Sequence, residues 1–124
     1  MNLVLRRFAL ATAVAVLPTL ALAQAPAKAM NGMLANNDGM TLYTFDKDAG
    51  GKSACNGACA GIWPPLKAAG DAKDSGDWTV VTRDDGSKQW AFKGKPLYTF
   101  AKDQKPGDVT GDGFLNGAWH LATP

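Results

Sequence analysis

The chain has no glutamate. All eleven of its acidic residues are Asp, and Asp favours turns and caps where Glu favours helix interiors. With 14 Gly and 7 Pro alongside, this points to strands joined by tight turns rather than to helices. Histidine occurs once, at His120, and cysteine twice, at Cys55 and Cys59. A single His and no nucleophile elbow leave nothing from which to assemble a catalytic triad. No Gly-rich phosphate loop follows a strand and opens a helix. The chain therefore reads as a protein that is not an enzyme. Also missing is any apolar run of the ~20 residues that cross a bilayer.

The first 23 residues read as a secretory signal peptide. Arg6 and Arg7 supply a positive start, residues 8–17 an apolar run, and Ala21-Leu22-Ala23 the small residues at a cleavage site before Gln24. Residues 24–30 read as a flexible tail, which leaves 31–124 as one small domain. Removing Arg6 and Arg7 from the thirteen Lys and Arg leaves eleven against eleven Asp. The net charge beyond the signal is then zero, and no basic footprint for nucleic acid remains. No membrane span is expected in the mature chain.

What the sequence does have is an echo of itself. Gly39-Met40-Thr41-Leu42-Tyr43-Thr44-Phe45-Asp46-Lys47-Asp48 returns 55 positions later as Gly94-Lys95-Pro96-Leu97-Tyr98-Thr99-Phe100-Ala101-Lys102-Asp103, with seven of ten residues identical. A constant offset of that kind marks a duplicated unit. The repeats read as residues 31–67 and 88–122. Each is centred on a hairpin: Met33–Asn36 with residues 41–45 around Asn37-Asp38-Gly39, and residues 89–92 with 97–100 around Lys93-Gly94. Trp78-Thr79-Val80-Val81-Thr82 and Gly117-Ala118-Trp119-His120-Leu121 read as further strands, and residues 68–77 as the surface connection. Alternation puts Tyr43 with Phe45, and Tyr98 with Phe100, on one strand face. Packed face to face, two such hairpins would bury their aromatics between them. Four Trp and these Tyr–Phe pairs argue against disorder. The fold class is thus mainly β, a small single domain of two tandem β-hairpin-based repeats, with a short helical turn near the Cys pair.

Cys55-Asn56-Gly57-Ala58-Cys59 carries the strongest chemical signal. In an oxidising compartment two cysteines four apart form a disulfide, and Gly57 gives the turn the freedom to close it. The five-residue loop limits its stabilisation to about 2 kcal/mol on chain entropy. The alternative is a copper site. If residues 56–62 are helical, Cys55 and Cys59 share a face, and with His120 they offer the soft set that suits Cu(I); Met30, Met33 and Met40 are possible additional ligands. That spacing resembles the copper sites of periplasmic copper chaperones. A thiol redox role is a third possibility, though the spacing is not Cys-x-x-Cys. Asp108, Asp112 and Asn116 do not have calcium-loop spacing and read as loop-holding side chains. An exposed-Trp surface for a glycan is a further alternative.

Tyr43-x4-Asp48 and Tyr98-x4-Asp103, with the Cys pair and Trp63-Pro64-Pro65-Leu66, resemble the bacterial secreted-repeat family of predicted lipoproteins, whose mark is a tandem Tyr-x4-Asp motif and whose function is not established. The likeness runs from about residue 31 to residue 121. It implies an exported cell-envelope protein of unknown activity. This chain lacks the Cys that lipidation needs, so it is expected to be periplasmic or secreted rather than anchored. Asp, five residues beyond Tyr, falls just past the strand, where its carboxylate can accept from loop N–H groups or from the tyrosine hydroxyl of the other repeat. The expectation is a non-enzymatic binding or structural module without cofactor, whose partner is an envelope protein or small ligand; copper or redox chemistry at Cys55, Cys59 and His120 is the alternative.

Overall fold

A computed structural model describes residues 26–124. The expected signal peptide, its cleavage site, and Gln24 and Ala25 of the expected tail lie outside the described residues. Ala27–Met30, also assigned to the tail, instead forms strand β1. It ladders antiparallel onto β2 (Met33–Asn36) through Asn31 and Gly32, both left-handed at φ 55° and 78°. The loose composition of this segment concealed a strand whose backbone groups are satisfied by its partner.

The chain continues through β3 (Tyr43–Phe45), the short helix α1 (Ala58–Ile62), β4 (Trp78–Thr82), β5 (Lys88–Phe92), β6 (Lys95–Pro96), a turn over Phe114–Gly117, and β7 (Trp119–Leu121). Trp78–Thr82 is a strand as expected, and it pairs with β5 in register from Trp78 opposite Phe92 to Thr82 opposite Lys88. Of the two echo hairpins, only the second forms a ladder, and a short one. In the first, the turn is present, with Asn36 Oδ1 accepting from the Asp38 and Met40 amides. Its arms, however, meet only at an Ala35–Thr41 bridge. In the second, pairing stops at Pro96.

The reason is an exchange of strands. β3 pairs not within its own repeat but with β7, from the end of the second repeat, Tyr43 opposite Leu121 and Phe45 opposite Trp119. The end of the first repeat is laid against Leu97-Tyr98-Thr99-Phe100-Ala101 in the same way. The Leu66 amide donates to the Leu97 carbonyl, the Thr99 amide to Pro64 and the Ala101 amide to Ile62. Matching bonds run from Ala122 to Leu42 and from Asp46 to Ala118. This second pairing is no continuous ladder, because Pro64 and Pro65 have no N–H where His120 and Leu121 do. At the centre, Tyr43 and Tyr98 exchange backbone bonds of 2.8 and 3.0 Å.

Alternation along the echo then divides its side chains between two cores. Leu42 and Leu97 enter one with Leu34 and Ala122. Tyr43 and Tyr98 enter the other with Cys55, Trp63, Phe100 and Trp119. The second core is a crossed aromatic stack. Trp63 lies on Trp119 at 3.7 Å between centroids, Phe100 on Trp63 at 4.2 Å and Phe45 on Trp119 at 4.1 Å. Each Phe therefore stacks on the Trp contributed by the other repeat. Tyr43 and Tyr98 meet Trp63 and Trp119 edge-on, at 5.3 and 5.1 Å.

Candidate functional site

The motif residues join across the repeats. Tyr43 donates its hydroxyl hydrogen to Asp103 Oδ2 at 2.7 Å, and Tyr98 donates to Asp48 Oδ2 at 2.7 Å. The second carboxylate oxygen of each Asp holds a loop. Asp48 Oδ1 accepts from the Ala54 amide at 2.7 Å, and Asp103 Oδ1 from the Thr110 amide at 3.0 Å and the Thr110 hydroxyl. The two acceptor roles open to these carboxylates in the sequence are thus both filled, once per repeat. Burial first, and then the bonded Asp, hold both phenol pKa values well above the ordinary tyrosine value. Burial likewise pushes the Asp48 carboxyl up, against the bonds from Tyr98 and Ala54. Both phenols thus serve as hydrogen-bond donors in a buried framework.

Around Tyr98 this framework extends to residues the sequence did not single out. Ser53 Oγ lies 2.6 Å from the Tyr98 hydroxyl. Arg83, only 5% exposed, donates to Ser53 Oγ at 3.0 Å, to Gln89 Oε1 at 2.7 Å and to the Cys55 carbonyl. Gln89, fully buried, donates onward to the Leu97 carbonyl at 2.8 Å. The available signal was alternation along β4: Val81 points inward, so Arg83 two residues on does too. Nothing comparable surrounds Tyr43, which accepts instead from the Gly111 amide at 3.2 Å. The two pins are therefore chemically unequal.

Cys55 and Cys59 form a disulfide at the start of α1, whose last turn is closed by the Trp63 amide donating to the Cys59 carbonyl at 2.8 Å. The staple thereby fixes where Trp63 enters the stack. His120 is elsewhere occupied: its Nε2 is 2.8 Å from Asp46 Oδ2 on the surface. The copper set Cys55, Cys59 and His120 is not brought together, and among the described residues no group of three metal-ligating side chains converges. Met30 and Met33 face each other at the β1–β2 turn. Asp108 holds its loop through the Gln104 and Lys105 amides. Asp112 accepts from the Leu121 amide at 3.3 Å. No Trp is exposed: Trp63, Trp90 and Trp119 are buried and Trp78 half-buried, which removes the exposed-Trp glycan surface. No helix among the described residues is long and apolar enough to cross a membrane.

On the outside, the Phe114–Gly117 turn is the unusual feature. Leu115 (φ 57°, ψ 55°) and Asn116 (φ 57°, ψ 36°) are both left-handed. Phe114 and Leu115 stand 44% and 55% exposed, Phe114 resting its ring against Phe100 and Trp63 at 5.5 and 5.8 Å. A sequence reading had no reason to place Leu115 in a conformation that glycine prefers.

Comparison with known proteins agrees with the duplication. A family model described as a secreted repeat of unknown function matches the chain twice, over residues 27–67 and 79–123. Both matched stretches begin earlier than the repeats read from the ten-residue echo, taking in β1 and most of β4. No curated protein and no solved structure matches the chain.

Proposed function

The chain belongs to this secreted-repeat family, and from that premise we propose that it is a non-enzymatic cell-envelope module, periplasmic or released, that presents the Phe114–Gly117 turn to a partner protein. One observation carries the reading: an exposed leucine held in a left-handed backbone. That conformation costs an L-residue roughly 1–2 kcal/mol, and Leu115, 55% exposed, recovers little of it through burial. Residues kept in sparsely populated backbone regions cluster at binding sites, where the surrounding structure over-determines them. Here the surround is the aromatic stack under Phe114. The interior supports the same reading, because Tyr43, Tyr98, Asp48, Asp103 and the Cys pair are all engaged in holding the scaffold.

The test is a photo-crosslinking residue at position 115 in cells exporting the full chain. A discrete adduct that is missing when the probe sits at position 73, on the exposed connection, is the expected result. Identical labelling from both positions would sink the proposal. Copper or thiol chemistry at Cys55, Cys59 and His120 requires an open Cys pair, so two alkylatable thiols and retained Cu(I) in freshly isolated protein would favour it instead.

A further inference from the structure

Arg83 is a buried cation whose hydrogen bonds all go to neutral groups. Its guanidinium offers five N–H donors, and three bonds engage them: Ser53 Oγ, Gln89 Oε1 and the Cys55 carbonyl, all of them neutral acceptors. None of the ion pairs among the described residues includes it. Within its hydrogen-bond network the Asp48 carboxylate is reached through Ser53 and Tyr98, and Asp48 and Asp85 feel its charge without bonding it. Burying an unpaired charge is expensive, and buried charges are ordinarily paired. Arg83 also lines a cleft of about 280 Å³, together with Ala60, Pro64, Pro65, Lys67, Asp85 and Ser87. The cleft thus has Arg83 in its wall, two prolines beside it, and Lys67 and Asp85, of opposite charge, among its lining residues. Asp85 Oδ1 is already occupied by the Ser87 amide and hydroxyl. The other repeat has no such arrangement around Tyr43, so duplication alone does not account for it.

We propose that this cleft binds a small organic carboxylate, its oxygens on the free edge of the Arg83 guanidinium and its apolar part against Pro64 and Pro65. Arg is the residue suited to that task, since its planar fork matches a carboxylate in a two-bond geometry that Lys does not reproduce. The volume admits a ligand of a few heavy atoms or the end of a chain, below the usual range for drug-sized pockets. This site stands apart from the Phe114–Gly117 turn and does not depend on it.

The experiment is a titration of the full chain with propionate, read by the NMR shifts of the Arg83 Nε–H and the Ala60 amide. Propionamide serves as the uncharged control and sodium chloride as the ionic one. Saturable shifts with propionate alone are expected, weakened about tenfold in Arg83→Lys, where the fork is lost, and weakened less in Lys67→Ala. Leu115→Gly leaves the titration unchanged. Should Arg83→Lys fail to fold, Lys67→Ala with the two controls still decides. Shifts that do not saturate, shifts reproduced by propionamide or chloride, or full affinity in Arg83→Lys would each overturn the site.

Discussion

Tyr43 donates its hydroxyl hydrogen to Asp103, 60 residues away, rather than to Asp48 in its own motif. The motif is therefore split between halves: each Tyr-x4-Asp unit supplies a donor to one pin and an acceptor to the other. Double-mutant cycles separate this from a motif that acts locally. Tyr43→Phe combined with Asp103→Asn should show a coupling energy of about 0.5–3 kcal/mol, as contacting pairs do. Tyr43→Phe with Asp48→Asn should be additive. Each single change should lower unfolding free energy by about 1.5–3 kcal/mol, the range for a hydrogen bond to a charged group, measured by denaturant titration. Coupling in the Tyr43–Asp48 cycle and none in the Tyr43–Asp103 cycle would contradict the crossed arrangement.

The same pins set an alkaline limit. In the unfolded chain tyrosine ionises near pH 10, whereas burial and then the bonded Asp raise both phenols in the folded state. Above that pH the folded state holds more protons than the unfolded one, so stability falls as pH rises, and the contribution is intact below it. Tyr43 and Tyr98 are the only tyrosines in the chain. Phenolate absorbance should therefore appear only together with loss of near-ultraviolet circular dichroism. Phenolate appearing near pH 10 with the dichroism intact would show that the phenols are not held.

Opening the disulfide should cost about 2 kcal/mol, since the loop it closes is short. For a domain of this size that corresponds to a fall in Tm of roughly 10 °C, checked by melting Cys55→Ser/Cys59→Ser against the parent. A larger loss would mean that the staple also orders the Cys55 carbonyl on which Arg83 rests.

Gly111 tests the stack. A Cβ there would meet Trp63 Cη2 at 2.6 Å and Phe100 Cδ2 at 3.0 Å, both parts of rigid rings. Gly111→Ala should destabilise by about 1–3 kcal/mol, the cost of overpacking a filled core, and should disturb the Trp circular dichroism. Ala at Gly61, where an added Cβ meets nothing, is the neutral comparison.

The duplication was legible because seven identical residues at one offset leave little else to infer, and the disulfide was legible because two cysteines in an oxidising setting have few options. The strand exchange was not. Alternation states which side chains face inward but not which strand lies alongside, and Leu42-Tyr43-Thr44-Phe45 would present the same faces to either neighbour. Pro64 and Pro65 were the overlooked clue, since a prolyl pair opposite Tyr98 permits contact while denying a ladder. A charged residue beyond Thr82 reads as a strand end, so the inward position of Arg83 becomes legible only by carrying the alternation of β4 one residue past that end. Leu115 was beyond reach, because no composition rule assigns a left-handed backbone to leucine.

Leu115 also separates stability from recognition. Replacing it with Gly removes the cost of the left-handed conformation, roughly 1–2 kcal/mol. The same change gives the unfolded chain back about 0.5–1 kcal/mol of conformational freedom. Only a half-exposed side chain is lost from the fold, so Leu115→Gly should be neutral or more stable by up to about 1 kcal/mol in a thermal melt. If the turn exists to display this side chain, the same substitution should abolish the adduct formed by a photo-crosslinking residue at the neighbouring position 114. A protein that is no less stable and no longer captures its partner is the signature of backbone strain kept for binding. A marked loss of stability would instead make Leu115 a packing residue, and the reading of the turn as a recognition element would fall with it.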